Sequence, residues 1–206
     1  ALQLDLDADL SGLSTTSGTL TAAFDANGTF TGNLGSAVVT VADSATLTAA
    51  ASVVDGKTIN HSTNGAVSVD VSALATGATA LVLKGSADFT VTSLISNLTA
   101  TNVSGTLSAT LADDAAVTIA TGSGTNTIVA TAMTDGDALT LTGSSAASVS
   151  FANADLIASA YTGALTVTGT GTTGQFTTGT ASSSISSTGA TTIVATAMAD
   201  DQTLTT

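Results

Sequence analysis

The stretch TGSGTNTIVATAM, from Thr121 to Met133, is the part of this sequence that most directly indicates its fold. It joins a glycine- and threonine-rich segment to an apolar strand. Most of it returns sixty-five residues later as SSTGATTIVATAM, from Ser186 to Met198. A phrase that repeats a turn together with a strand is typical of repeat proteins, in which each unit packs against the next. We therefore expect a stacked architecture of short β-strands.

Alternation of apolar and polar residues is the dominant pattern along the rest of the chain. Turn dipeptides such as Asn27-Gly28 and Asp135-Gly136 separate the alternating segments, which therefore predict strands. The clearest predicted strands are 2–10, 37–42, 66–73, 80–84, 89–92, 138–142 and 164–168. The main helix candidates, 92–98 and 154–160, are short and rich in Ser and Ala, and we expect loops or single turns there. The pattern predicts an all-β protein.

The composition narrows the kinds of core and partner that are available. The 206 residues include no Cys and no Pro, and aromatic residues make up only 3%, so the core has to be built from Ala, Val, Leu and Ile. All fifteen acidic residues are Asp, and two lysines oppose them, which gives a net charge of −13. Such a chain cannot neutralise phosphates, so nucleic acid is not an expected partner. Its charge also repels anionic membranes, and no segment predicts membrane insertion.

Internal repeats divide the chain. The pairs 80–86 and 138–144, and Ser104-Gly105 and Thr162-Gly163, are each fifty-eight residues apart. We interpret residues 76–206 as two β-repeat units, about 80–133 and 138–198, followed by the start of a third. The sixty-five-residue offset of the opening phrase predicts an insertion of about seven residues, placed in the Gly/Thr run 168–174. Residues 1–75 form an N-terminal β module, either a diverged repeat or a separate module. We expect the chain to be a processed product or a stretch of a longer protein.

Two architectures fit these repeats. In a parallel β-solenoid, strands stack in register and Thr, Ser, Asn and Val form ladders along the axis. In tandem β-sandwiches, each unit of about sixty residues would have to close its own core, which is marginal at that size with so few aromatics. The absence of Pro also favours in-register stacking, because Pro interrupts a ladder. We therefore expect a repetitive parallel β-solenoid, with tandem β-sandwich modules as the alternative.

Catalytic motifs are scarce. His61 is the single histidine, and its neighbour Ser62 would point to the opposite face of a strand. There is no G-x-S-x-G elbow, and one histidine without cysteine is a poor zinc site. Paired aspartates could hydrolyse a glycosidic bond, but carbohydrate grooves usually present aromatic platforms, which are rare in this chain. We expect a protein that is not an enzyme.

Calcium is the candidate ion, because it prefers carboxylate and carbonyl oxygens on turns. Three groups of aspartates fall between predicted strands, and the candidate ligands are Asp113, Asp114, Asp135, Asp137, Asp200 and Asp201. Asp135 and Asp200 each follow the repeated phrase by two residues. Aspartate is also an ordinary turn residue, so a purely structural role remains the alternative.

The segment from Thr121 to Val129 resembles the nonapeptide G-G-x-G-x-D-x-U-x of RTX proteins. Gly122 and Gly124 match, Ile128 takes the apolar position, and Asn126 stands where the motif has Asp. The later copy keeps Gly189 and Ile193. Together with the Asp-only acidity, the chain is similar to bacterial β-repeat surface proteins of the type I-secreted kind, which include S-layer proteins and giant adhesins. The resemblance implies an extracellular, cell-surface, calcium-dependent scaffold.

These observations lead to three expectations of function. The first is a structural extracellular protein that forms a bacterial surface layer or filament by self-association of stacked β-repeats, with calcium as the stabilising ion. The second is the stalk of a cell-surface adhesin, and the third is a β-helical polysaccharide-acting enzyme; cell-surface polysaccharide is a further candidate partner. A flat face of aligned threonines would also suit ice, although the sequence shows no strict T-x-T repeat.

Overall fold

The structure is a computed structural model of the chain. It describes residues 2–3, 8–13, 18–61, 65–70, 80–113, 116–189, 191–199 and 202–206, with side chains at all of these except 2–3 and 68–70. The described residues form twenty-one β-strands and one four-residue helix, α1 (Ala51–Val54). The protein is therefore all-β, as the alternating pattern predicts.

The strands, numbered β1 to β21 in chain order, form three sheets. The ten-stranded sheet contains β3 (Gly28–Phe30), β5 (Thr46–Ala50), β7 (Ala66–Asp70), β9 (Asp88–Leu94), β11 (Leu107–Leu111), β13 (Asn126–Ala130), β15 (Ala147–Phe151), β17 (Leu165–Gly169), β19 (Ser183–Ser187) and β21 (Leu204–Thr205). The seven-stranded sheet contains β8 (Leu81–Gly85), β10 (Leu98–Val103), β12 (Ala116–Ala120), β14 (Ala138–Thr142), β16 (Asp155–Ile157), β18 (Gln175–Thr177) and β20 (Thr192–Val194). The four-stranded sheet contains β1 (Leu2–Gln3), β2 (Thr21–Phe24), β4 (Val38–Val41) and β6 (Ile59–His61).

These sheets are the walls of a parallel β-solenoid of about nine turns. From β2 onward, consecutive strands alternate between the ten-stranded sheet and the other wall, and the described strand pairs are parallel. Partners in the ten-stranded sheet lie 18 residues apart at Ala147 and Leu165, and 22 apart at Ala66 and Asp88. The tandem β-sandwich alternative is wrong, because sandwiches consist of antiparallel sheets and each pairs its own consecutive strands.

The four-stranded and seven-stranded sheets continue one another along the second wall. An isolated parallel bridge joins Thr58 to Lys84, and the amide of Ala87 donates to the carbonyl of Ile59 at 3.2 Å. In the ten-stranded sheet, β7 pairs with β5 on one side and β9 on the other. Both walls therefore continue past residue 75, and the predicted division of the chain at that point stays a prediction.

The core is a thin apolar layer between the walls. Along each strand alternate residues point inward, so that Leu107, Ala109 and Leu111 are buried while their neighbours Ser108 and Thr110 are not. Phe30, Phe89, Phe151 and Phe176 supply the bulk in a layer otherwise made of Ala, Val, Leu and Ile. Burial of one such apolar side chain contributes about 1.5–3 kcal/mol, so a few residues per turn, repeated along the axis, are sufficient.

Most of the predicted strands are confirmed, with boundaries that agree or shift by one or two residues. Of the predicted strand 66–73, Ala66–Asp70 form β7 and residues 71–73 lie outside the described residues. Of the predicted strand 2–10, Leu2–Gln3 form β1 and residues 4–7 lie outside the described residues. Segment 92–98 contains the end of β9, a turn and the first residue of β10, and segment 154–160 contains β16 and a turn, so neither is helical. The helix α1 was not predicted. It follows β5 without a gap and leads toward β6.

The structure explains both repeat offsets. Leu107 pairs with Asn126, Asn126 with Ala147 and Ala147 with Leu165, so fifty-eight residues are three complete turns on the same wall. The two copies of the opening phrase differ, because β13 lies in the ten-stranded sheet and β20 in the seven-stranded sheet. In both copies a strand ends in the same turn, in which the amide of Met133 or Met198 donates to the carbonyl three residues before it. The phrase is a strand-and-turn element that serves either wall, so the offset needs no insertion at 168–174.

Candidate functional site

The candidate calcium ligands that the structure describes lie on turns that lead from the ten-stranded sheet to the other wall. Asp113 follows β11, while Asp135 and Asp137 lie in the next turn, between β13 and β14. We call the two turns that carry these three residues the acidic turns. Asp137 accepts hydrogen bonds at Oδ2 from the Thr134 amide at 2.6 Å and the Thr134 hydroxyl at 2.9 Å. Its carboxylate therefore closes its own turn.

Hydrogen bonding changes the acidity of Asp137. The Thr134 amide, and next the Thr134 hydroxyl, lower the pKa of the Asp137 carboxyl below its ordinary value. Partial desolvation opposes this shift, and the nearby Asp113 side chain adds a smaller lowering. Two of the predicted ligands, Asp113 and Asp137, therefore lie near each other on successive turns.

Within the described residues, no three His, Cys, Asp or Glu side chains come together in a group able to hold a metal ion. Asp114, Asp200 and Asp201 lie outside the described residues. The repeated phrases that precede Asp135 and Asp200 lie on opposite walls, so the turns after them lead in opposite directions across the solenoid. Calcium binding at the six predicted aspartates therefore stays a prediction.

A second role of Asp and Asn is plain from the hydrogen bonds between turns. At several strand starts and turns, a side-chain Oδ1 accepts from a backbone amide on the following turn. These bonds join Asn27 to Thr46, Asp55 to Val82, Asn60 to Ser86, Asp88 to Thr106, Asn97 to Thr118, Asn153 to Thr172 and Asp155 to Gln175. Their lengths of 2.6–3.2 Å are those of good hydrogen bonds. The short Asp and Asn side chains therefore stabilise turn-on-turn stacking, which gives the acidity a structural basis.

Asn126 takes the position that aspartate has in the RTX nonapeptide, and it is an internal residue. Its side chain is 1% exposed. Its Nδ2 donates to the carbonyl of Gly124 at 2.8 Å and to the carbonyl of Ala146, on the next turn, at 3.4 Å. Asn126 is thus a buried link between turns. The signal for this was present in the sequence, because Asn126, Ile128 and Ala130 are two residues apart and share one face of β13.

Sequence reasoning missed a second internal polar group. The Tyr161 hydroxyl donates to the Ser145 carbonyl at 2.6 Å and lies 3.2 Å from the Thr121 hydroxyl. The Tyr161 ring passes Gly143, which has φ +148, and a Cβ there would lie 2.0 Å from the Thr121 hydroxyl. Burial raises the pKa of the Tyr161 phenol, and the hydrogen bond with Thr121 opposes part of that shift. The first residue of the RTX-like stretch is therefore a core contact.

Lys57 and Asp55 make hydrogen bonds within the scaffold, and His61 is the residue that the sequence singled out for catalysis. Lys57 Nζ donates to the Gly35 carbonyl, and Asp55 accepts from the Val82 amide at 2.8 Å. Both line a cavity of about 380 Å³ beside α1. The His61 amide donates to Ser86 Oγ at 3.3 Å, whereas Ser62 lies outside the described residues. The His61 Nδ1 atom is buried without a hydrogen-bond partner, so the described residues show no nucleophile paired with this imidazole.

One surface feature extends along the whole ten-stranded sheet. At one outward register position, each of its ten strands carries a Ser or Thr. We call this the hydroxyl row, and its members are Thr29, Thr48, Ser68, Thr90, Ser108, Thr127, Ser148, Thr166, Ser184 and Thr205. Ser68 is assigned by register alone. The residues that flank the row within each strand belong to the inward set, so the described hydroxyls stand on the outer surface.

Comparison of the chain with known protein families, with curated proteins and with solved structures finds no match. Among the described residues, no helix is long and apolar enough to cross a membrane. The geometry above is therefore the basis for any functional proposal.

Proposed function

We propose that this protein is a structural extracellular protein, a subunit of a bacterial surface layer or filament in which β-solenoids stack end to end. The observation that supports this most is the uninterrupted ten-stranded parallel sheet, with its core continuous from turn to turn. Nine inter-strand steps of about 4.8 Å make a rigid body about 43 Å long. Such a body can be extended by adding further turns without any change of architecture.

The end turns of the described solenoid support axial stacking. At the end formed by β20 and β21, Ile193 and Leu204 pack against the core but stay partly exposed, whereas most inward residues of the middle turns are buried. The outermost strand β21 pairs with β19 on one side only. Parallel strands with an unpaired edge and an apolar inner side are ready to pair with another strand. A further solenoid turn placed on this end, such as one from a second copy, would cover both features.

Charge favours the same direction of assembly. The net charge of −13 makes side-by-side contacts between copies unfavourable at low ionic strength. Ile193 and Leu204, by contrast, are uncharged end-turn residues. Calcium, which binds carboxylates, would reduce repulsion along the acidic turns, where Asp113 and Asp137 are neighbours. We therefore propose calcium as an ion that promotes assembly, with secretion to the cell surface as the setting.

The experiment is negative-stain electron microscopy of the purified 206-residue chain, with millimolar calcium and with a chelator. Filaments or ordered sheets are expected in calcium, and Leu204→Asp is expected to prevent them because it places a charge in the stacking surface. Thr205→Asp is the matched control, since Thr205 belongs to the outward row and its side chain does not enter that surface. A monodisperse monomer under both conditions would contradict the proposal, as would equal effects of the two variants.

A stalk segment of a cell-surface adhesin is the second proposal, because a rigid rod of stacked turns also suits a spacer. It predicts an elongated particle without self-association. Small-angle X-ray scattering distinguishes the two functions. A concentration-independent rod in calcium favours the stalk, and growth of the particle along one axis favours the layer or filament.

A further inference from the structure

We propose that the hydroxyl row and the surface around it bind ice, through an ordered layer of water held on the outer face of the ten-stranded sheet. The proposal concerns this face and is independent of the end-to-end stacking proposed above. It begins from the register, in which ten successive strands place a hydroxyl residue at the same position.

A neighbouring outward position widens the row into a surface. Two residues further along the strands, the register aligns Thr110, Val129, Ser150, Thr168 and Ser186. Except at Val129, hydroxyls therefore repeat about 4.8 Å apart across these strands and about 6.7 Å apart along them. These spacings are comparable to those between oxygens on faces of hexagonal ice. From Thr110 to Ser186, both positions carry uncharged side chains.

The opposite wall shows that hydroxyls do not fill outward positions by default. Its corresponding outward column contains Thr118, Thr140, Ile157, Thr177 and Val194. Ser and Thr make up about a third of the chain, so an unbroken set of ten is more than composition alone produces. The difference between the walls indicates that hydroxyl residues are specifically favoured on the outer face of the ten-stranded sheet.

The lack of charge on this face indicates what kind of partner it binds. The chain has a net charge of −13, yet from β11 to β19 neither of the two outward columns carries a charged residue. A neutral surface complements a neutral partner. It has no basic groups for nucleic acid. Ser, Thr and Ala are poor anchors in protein interfaces, and no aromatic side chain stands in the row to stack on a sugar. The surface presents hydroxyl donors and acceptors with methyl groups between them, and a lattice of water molecules can bind such groups.

The outer face of the ten-stranded sheet is also rigid. Six of the ten residues are threonines, whose side chain has few χ1 rotamers, and each of the eight inner strands of the sheet is fixed by ladders to two neighbours. The hydroxyls are therefore positioned before water binds, and little entropy is lost on ordering the layer.

The test is thermal hysteresis, measured together with partition of the protein into a slowly growing ice hemisphere, on the intact chain. The native protein is expected to shape ice crystals and to be enriched in ice relative to an unrelated acidic protein. The double variant Thr127→Tyr/Thr166→Tyr is expected to lose both activities, because two bulky side chains interrupt the flat face. Thr118→Tyr/Thr177→Tyr, on the opposite wall, is the matched control and is expected to retain them.

Circular dichroism melting of each variant separates loss of the surface from loss of the fold, and Thr166→Ser should retain activity because it keeps the hydroxyl. Exclusion of the native protein from ice would overturn the proposal. Equal losses in the two double variants would overturn it as well. If the native protein instead forms dimers that Thr127→Tyr/Thr166→Tyr abolishes, without any thermal hysteresis, the face belongs to a second copy and the ice proposal is wrong.

Discussion

Asn126 is the residue that most changes the interpretation of the sequence. The RTX-like stretch places it where a calcium ligand would be, but the structure places it in the core between two turns. An amide suits that position because its Nδ2 supplies two donors to two carbonyls. An ionised carboxylate has no donor and would be buried next to those carbonyl oxygens, which is unfavourable.

We predict that Asn126→Asp lowers the free energy of unfolding by about 3 kcal/mol, the scale for a buried polar group that loses its partners and gains charge. Urea unfolding at pH 7, with and without calcium, measures it. Asn27→Asp is the control, because Asn27 is exposed and uses only Oδ1, an acceptor that aspartate keeps. Stabilisation of Asn126→Asp by calcium to native values would show instead that this position is a calcium site.

Tyr161 gives a second prediction at the scale of a single group. Tyr161→Phe removes the donor to the Ser145 carbonyl and should reduce stability by about 1–2 kcal/mol. Because burial raises the pKa of this phenol in the folded state, its neutral form stabilises the fold below pH 10. That contribution is lost as the pH rises above 10, since the unfolded chain ionises first. Denaturant unfolding from pH 8 to 11 should show a steeper loss for the native chain than for Tyr161→Phe, and parallel curves would contradict this.

At the scale of elements, strands and turns differ in how far the sequence determines them. Alternation identified most strands because each wall has one buried face, which gives a period of two. It could not assign strands to walls, because the wall depends on how many strands and turns precede a segment. The repeated phrase shows the difference. Its two copies form the same local strand and turn in β13 and β20, yet they serve opposite sheets.

The turn from Thr134 to Asp137 predicts a pH dependence. Its hydrogen bonds lower the pKa of Asp137 from the ordinary 3.8, so the ionised carboxylate stabilises the folded state at pH values above that. This stabilisation is lost as the pH falls through the lowered pKa, because protonation then removes the charged acceptor. Thermal melting between pH 5 and pH 2 should show a smaller acid loss for Asp137→Asn than for the native chain. Identical acid profiles would contradict the assignment.

The hydrogen bonds between turns predict different effects of mutating Asn97, just before β10, and Asn102, within β10. Asn97→Ala removes the bond that its Oδ1 accepts from the Thr118 amide, and we expect a loss of about 1 kcal/mol. Asn102→Ala is the control, since Asn102 is exposed on β10 and the described structure shows no such inter-turn bond for it. Urea midpoints at constant m-value measure the difference. A larger loss for Asn102→Ala would contradict the role given to Asn97.

At the scale of the whole molecule, the sequence predicted the architecture but left most of the candidate site open. Every turn has small core residues, lacks proline and resembles other turns, so these features are visible in any window of the chain. The proximity of Asp113 to Asp137 and the hydroxyl row depend on pairing between residues 18–22 positions or more apart. Such pairing follows from turn lengths, which vary along the chain and have no fixed period to detect.

In the proposed assembly, turns stack in parallel along one axis and each copy continues the stacking of the one before. X-ray fibre diffraction from oriented assemblies grown in calcium is the decisive experiment. Strands that lie across the axis and repeat along it predict a strong reflection at about 4.8 Å on the meridian, parallel to the fibre. We expect that reflection, together with its loss in Leu204→Asp preparations that no longer form fibres. A 4.8 Å reflection on the equator, or assemblies without it, would show that the turns do not stack along the fibre.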